Sequence, residues 1–172
     1  MERNIDYNPY ETGLFLIGFD NNNLLRIIDL KGKNASAVEA LVKEEGIRDA
    51  VAFQEEATDA NNHFVKLIIN GESREFKGSG SGANPRTAIG QRADGSVLLL
   101  VTDGRGANGH LGVTAGDLIE IMERYDAVNA ANLDGGSSSS MYYNGKYEMT
   151  SVTLYYSNSS WRLPDAFVVE KR

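Results

Sequence analysis

The chain of 172 residues contains no cysteine. That absence rules out disulfides, thiolate nucleophiles and cysteine-ligated metals, and leaves the redox compartment open. No apolar run approaches the ~20 residues that a membrane-spanning helix needs. The opening Met1-Glu2-Arg3-Asn4-Ile5-Asp6-Tyr7 lacks the basic-then-apolar layout of a secretion signal, which reads as a cytoplasmic protein or as a trimmed piece of a longer one. Positive charge is also in deficit: 17 Lys and Arg face 24 Asp and Glu, for a net charge of −7. A nucleic-acid binder gains most of its affinity by neutralising phosphates, so that class is excluded. A small phosphorylated ligand is not, because a few local arginines outweigh the global field.

What remains is an ordinary globular composition, 41% hydrophobic, long enough to bury one core. We expect a single domain over residues 14–172, with 1–13 as an extension or a truncated start. Leu14–Phe19 reads as a buried strand, and Leu24–Leu30 as its returning partner across the Asp20–Asn23 turn. Asn34 is placed to cap a helix over Ala35–Glu45 that stops at Gly46. Strands are expected at Ala50–Phe53 and Phe64–Ile69, and as a hairpin of Arg86–Arg92 with Val97–Val101 around Asp94-Gly95. Thr114 opens the clearest helix, with Asp117 completing a variant capping box and Leu118, Ile121, Met122 and Tyr125 along one face. Further strands are expected at Ala127–Leu133, at Met141–Tyr143 before the Asn144-Gly145 turn, and at Ala166–Val169. Many strands and two main helices predict an α+β domain with a twisted, largely antiparallel or mixed sheet.

The chemistry concentrates between Arg86 and Met141. Two carboxylates, Asp103 and Asp134, stand where apolar runs stop and glycines begin. Such strand-to-loop junctions hold a polar group rigidly while presenting it to a ligand. Gly135 and Gly136 permit backbone conformations that turn peptide N–H groups towards an anion, and the four serines that follow add short hydroxyls. Arg86, restrained by Pro85, and Arg105 offer planar, permanently charged forks suited to phosphate. Each feature alone has a plainer reading: a surface salt bridge for an arginine, a β-turn for Asp103-Gly104-Arg105-Gly106, a Gly/Ser loop for the serine run. His110, in the glycine-rich loop, is kept only as a subsidiary acid–base candidate, since a lone loop histidine is more often merely solvated. Tyr142, Tyr143, Tyr155, Tyr156 and Trp161 have the chemistry to stack on sugar rings, although strand aromatics more often pack structurally.

The ordered set Asn84-Pro85-Arg86-Thr87-Ala88-Ile89-Gly90, Leu100-Val101-Thr102-Asp103-Gly104-Arg105, a Thr-capped helix, and Asn132-Leu133-Asp134-Gly135-Gly136-Ser137-Ser138-Ser139-Ser140-Met141 resembles the phosphodiester glycosidase family. The resemblance implies cleavage between the anomeric carbon of an amino sugar and a phosphodiester oxygen, on a sugar-phosphate or glycan substrate outside the cytoplasm. It places Asp134, Asp103, Arg86 and Arg105 as catalytic candidates, and Thr87, Asn132, Gly135, Gly136, Ser138 and Ser139 as substrate-binding ones. In that scheme the arginines neutralise the phosphate leaving group, while Asp134 stabilises an oxocarbenium-like centre or attacks it with Asp103 as partner. No cofactor is required; a divalent metal is compatible but has no ligand cluster of its own. The family's upstream Asn-Gly-Gly-Phe-Phe-like segment has no counterpart here. That departure implies a fragment, a partner chain that completes the site, or a glycan- or phosphate-binding module without turnover.

Overall fold

The computed structural model describes residues 13–53, 64–75, 82–106, 109–149, 163 and 166–170. Strands β1 (Phe15–Asp20), β2 (Leu25–Asp29) and β3 (Ile47–Phe53) form one antiparallel sheet in the order β2-β1-β3, with helix α1 (Ala35–Glu44) between β2 and β3 in sequence. A second antiparallel sheet has the order β5-β4-β8-β6-β7, built from β4 (Lys66–Ile69), β5 (Glu72–Ser73), β6 (Arg86–Arg92), β7 (Val97–Thr102) and β8 (Ala127–Asn132). Helix α2 (Ala115–Arg124) links β7 to β8, and a small hairpin of β9 (Tyr142–Tyr143) and β10 (Lys146–Tyr147) follows. This is the expected α+β architecture, with its strands divided between two main sheets and a separate small hairpin, and every described pairing antiparallel.

Strand alternation decides the layering, because successive side chains point to opposite faces. Phe15 and Ile17 of β1 meet Val65, Ile89 and Ala131 between the two sheets, whereas Leu16 turns to Leu30 and Val38 under α1. On the second sheet, Ala88 and Ala130 face α2, where Leu118, Ile119 and Met122 cover them. The order through the molecule is therefore α1, sheet, sheet, α2. The alanines matter here. Small residues on β6 and β8 let the helix and the first sheet approach from opposite sides.

Local signals set the helices. Asn34 accepts from the Ala37 backbone N–H at 2.9 Å, and Thr114 and Asp117 form the reciprocal capping box. One expected strand does not form: Ala166–Val169 has no ladder partner among the described residues and runs as irregular chain. Its apolar run is not buried, with Val168 73% and Val169 82% exposed. Phe167 alone docks, edge-to-face on Phe19 with ring centroids 6.5 Å apart. A strand exists only by pairing, and a run of apolar β-formers does not supply the neighbour.

Candidate active site

Antiparallel pairing brings the three separated motifs to one rim. Arg86 starts β6, Thr102 ends β7 opposite it, and Asn132 ends β8 opposite Ala88. The starts and ends of these strands thus fall at the same end of the second sheet. The Arg86 backbone N–H donates to Thr102 Oγ1 at 3.0 Å, and Leu133 N–H to Thr87 O at 2.8 Å.

Glycines let the loops close on this rim. A Cβ on Gly104 would lie 2.8 Å from Gly112 Cα and 2.9 Å from Pro85 N. One on Gly112 would lie 2.4 Å from the Asn84 carbonyl carbon, and one on Gly135 would lie 2.9 Å from Pro85 O. These glycines are spacers around the backbone of Asn84–Arg86, where Asn84 and Val113 form an isolated antiparallel bridge. Gly136, at φ +60°, donates its N–H to Pro85 O at 2.7 Å. That N–H is committed inside the protein and is not offered to an anion.

A pocket of about 240 Å³ opens at the rim. Of the sequence-derived candidates, Arg86, Arg105, Asn132, Asp134, Gly135 and Gly136 line it; Phe53 from the end of β3, Asn84 and Leu133 complete the wall. Drug-sized ligands occupy pockets of roughly 300–1,000 Å³, so this one suits a ligand on the scale of one sugar ring and its phosphate.

Arg86 is only 7% exposed. Its Nε donates to Val113 O at 3.2 Å and its Nη2 to Gly82 O at 2.8 Å, and its guanidinium lies 5.3 Å from the Phe64 ring centroid. Desolvation by burial pulls its pKa below the ordinary arginine value, yet an arginine remains cationic at any working pH. Arg105 stands across from it, on a residue with φ +55°. Its Nη1 donates to Ser137 Oγ at 2.8 Å, and a Cβ on Gly136 would come within 2.7 Å of its Nη2. Only glycine at position 136 leaves that guanidinium its place.

Asn132 is 4% exposed, with its Nδ2 donating to Phe64 O at 3.0 Å. Its Oδ1 is buried and has no hydrogen-bond partner among the described residues. An unmet buried acceptor costs on the order of 1–3 kcal/mol, and it suits an O–H or N–H donor and not a phosphate oxygen. Asp134 is exposed, and no hydrogen bond or ion pair ties its carboxylate among the described residues. As protein oxygens for a divalent cation, Asp134 and Asn132 Oδ1 fall well short of the roughly six that such ions take. No group of three or more carboxylates and imidazoles gathers among the described residues. Among the described residues these donors do not amount to a dedicated metal cage.

The remaining candidates are held elsewhere. Ser139 is fully buried and accepts from Thr87 Oγ1 at 3.3 Å, so this pair braces the loop from beneath. Ser138 sits half-buried in the short 3-10 turn Gly136–Ser138. Asp103 does not line the pocket; its carboxylate meets His110 Nδ1 at 2.7 and 2.9 Å. His110, a subsidiary acid–base candidate from the sequence, pairs with Asp103, and Phe53 and Asn84 join the pocket wall without being candidates from the sequence. For His110 a signal existed: three glycines between positions 103 and 110 allow the chain to double back on Asp103. Tyr142, Tyr143 and Tyr147 are exposed on the hairpin, whereas His63, Tyr155, Tyr156 and Trp161 lie outside the described residues.

Fold and pocket together define an α+β sandwich that presents two arginines and, untied among the described residues, one carboxylate at one sheet end. The chain belongs to the phosphodiester glycosidase family, whose model matches residues 10–170. It is 30% identical over 134 residues to the N-acetylglucosamine-1-phosphodiester alpha-N-acetylglucosaminidase of Bos taurus, covering 64% of this chain and 25% of that protein. An uncharacterized SPbeta prophage-derived protein of Bacillus subtilis is 42% identical over 64 residues, covering 37% of this chain and 10% of its own length. The fold matches the zebrafish catalytic domain of the alpha-N-acetylglucosaminidase, auto-inhibited by its pro-peptide, with a TM-score of 0.61 at 19% identity over 93% of this chain and 52% of that one. The chain thus spans between a tenth and about half of the length of these relatives. No helix among the described residues is long and apolar enough to cross a membrane.

Proposed function

We propose that this chain binds an amino-sugar phosphodiester and hydrolyses the bond between the anomeric carbon and the phosphodiester oxygen, acting outside the cytoplasm. The observation that carries this reading is the placement of Arg86 and Arg105 on the same small pocket as Asp134. The arginines hold the phosphate and neutralise the charge it gains as the C–O bond breaks and the electron pair leaves with the phosphate oxygen. A phosphomonoester departs readily, so charge stabilisation matters more than protonation. Asp134, unencumbered, faces the cationic anomeric centre as nucleophile or stabiliser, and water supplies the new hydroxyl. Because Asp103 is engaged by His110, the chemistry rests on Asp134.

The test is sugar release from UDP-N-acetylglucosamine by this chain and by Asp134→Asn. Release that falls at least about a hundredfold in the variant supports the enzyme; no release from the folded wild-type chain removes turnover. One observation favours a second reading, a binding module without turnover: among the described residues nothing orients the Asp134 carboxylate, whereas catalytic groups are usually held by a partner. Saturable binding of the same ligand with no sugar released would select it.

A further inference from the structure

We infer that His110 is a positioning residue: by occupying the Asp103 carboxylate it holds the loop that sets Arg105 in the anion-binding pocket. The inference rests on the proposed role of Arg105 in holding phosphate. It starts from the conformation of Arg105, which sits at φ +55°. A non-glycine residue there is strained and persists only when its surroundings over-determine it.

Those surroundings are visible. The loop leaves the end of β7 at Asp103 and returns to the Asn84–Val113 bridge. Gly104 and Gly112 press together at its neck, and Gly106 N–H donates to His110 O at 2.8 Å. The Arg105 N–H reaches Leu111 O only at a long 3.4 Å. Gly109 N–H also donates to Gly106 O at 3.1 Å, and the imidazole–carboxylate contact ties the far side of the loop back to the end of β7. A carboxylate only accepts, so Nδ1 of His110 carries the hydrogen in this contact. It makes two close contacts, at 2.7 and 2.9 Å, to a carboxylate whose side chain is only 22% exposed.

Charge acts in the same direction. Asp103 lies two residues from Arg105, and His110 is the donor seen on it among the described residues. Freed from His110, that carboxylate becomes the nearest competitor in sequence for the Arg105 guanidinium. Pairing with Asp103 would draw the guanidinium from Ser137 and from the space beside Gly136. His110 thus keeps a phosphate-binding arginine from being neutralised by its own neighbour.

The experiment measures binding of N-acetylglucosamine 1-phosphate by calorimetry to the wild-type chain, His110→Leu and His110→Asn. Asparagine places an amide N–H where the histidine carries Nδ1, while leucine offers no donor. We expect His110→Leu to bind roughly tenfold more weakly, the scale of coupling within one hydrogen-bonded network, and His110→Asn to restore most of that loss. In an Arg105→Gln background the His110→Leu change should have no further effect. Equal losses in both backgrounds, or no loss at all, would overturn the proposal. A ligand-free arm keeps its fate separate from that of the proposed function. The Arg105 Nε–H resonance should be sharp in wild type and His110→Asn and broadened in His110→Leu. If wild-type protein fails to bind the sugar phosphate, the functional reading falls and the resonance alone decides the clamp; an identical signal in all three proteins rejects it.

Discussion

At Gly112 and Gly136 the same substitution should have opposite kinds of consequence. Gly112, at φ +99°, would place a Cβ 2.4 Å from the Asn84 carbonyl carbon and 2.5 Å from its oxygen. Backbone cannot step aside, so Gly112→Ala must break the Asn84–Val113 bridge, and we expect a loss near 3 kcal/mol in denaturant melts. At Gly136 the atom in the way is the end of the Arg105 side chain, 2.7 Å from the added Cβ. Gly136→Ala should cost only ~1 kcal/mol for its left-handed backbone, yet displace the guanidinium and weaken sugar-phosphate binding. A variant that melts like Gly112→Ala but binds normally would contradict this division. The two arginines divide similarly. Arg86→Gln takes the guanidinium donor from the part-buried Val113 carbonyl and shortens a side chain that is only 7% exposed, so it should lower both thermal stability and phosphate affinity. Arg105→Gln should lower affinity with little change in the melt. Comparable losses of stability in both variants would refute the asymmetry.

At the scale of elements, α2 carries a pH-dependent cap. Asp117 accepts from the Thr114 backbone N–H at 2.7 Å and from Thr114 Oγ1 at 2.8 Å. The backbone bond first, then the side-chain bond, hold its carboxyl below the ordinary value of 3.8. A carboxyl depressed in the folded state contributes stability above its unfolded pKa, near 4, and that contribution disappears as pH falls through the folded value. Asp117→Asn should therefore cost ~1 kcal/mol at pH 7, and its melting curve should converge on that of wild type as both are acidified below about pH 4. A gap that stays constant to pH 3 would show that the carboxylate is not the source. This cap was legible in the sequence because its two partners are three residues apart. The Asn34 cap and the Arg86–Arg92 hairpin were legible for the same local reason. Less so were features that depend on which strands meet. The Ala166–Val169 run has strand composition but no pairing edge among the described residues, and the Gly136 N–H, read from sequence as turned towards an anion, is donated to Pro85 O. The contact of His110 with Asp103 needed the loop's path, which composition does not specify.

At the scale of the whole molecule, the question is what makes two sheets behave as one body. Apolar packing of Phe15, Ile17 and Leu25 on Val65, Ile89 and Ala131 supplies attraction but little direction. Gln91 supplies direction. It is 3% exposed on β6 of the second sheet, yet its Oε1 accepts from Leu25 N–H at 2.7 Å, and its Nε2 donates to Asn23 O at 2.8 Å and to Gly95 O at 3.1 Å. Asn23 and Leu25 flank the start of β2, so one amide fixes how the first sheet is seated on the second. Gln91→Met keeps the volume and removes every one of these bonds, leaving the Leu25 N–H and the Asn23 carbonyl without their partner. Asn23 is exposed and its carbonyl can turn to water, whereas Leu25 is buried; one unmet buried N–H costs about 1–3 kcal/mol, and a loss of that size is expected in urea melts. The sheets share one core, so unfolding should remain a single transition with an unchanged slope. Two resolved transitions would mean that the sheets are separate units and that Gln91 joins bodies able to stand alone. The consequence reaches the pocket, because Phe53 comes from the first sheet while Arg86, Asn132 and Asp134 come from the second. A sheet that seats loosely moves one wall of the pocket against the others. Gln91→Met should therefore weaken sugar-phosphate binding at temperatures well below its melt, from a position that does not line the pocket. Undiminished affinity in a destabilised variant would show that the aromatic wall holds its place without the amide.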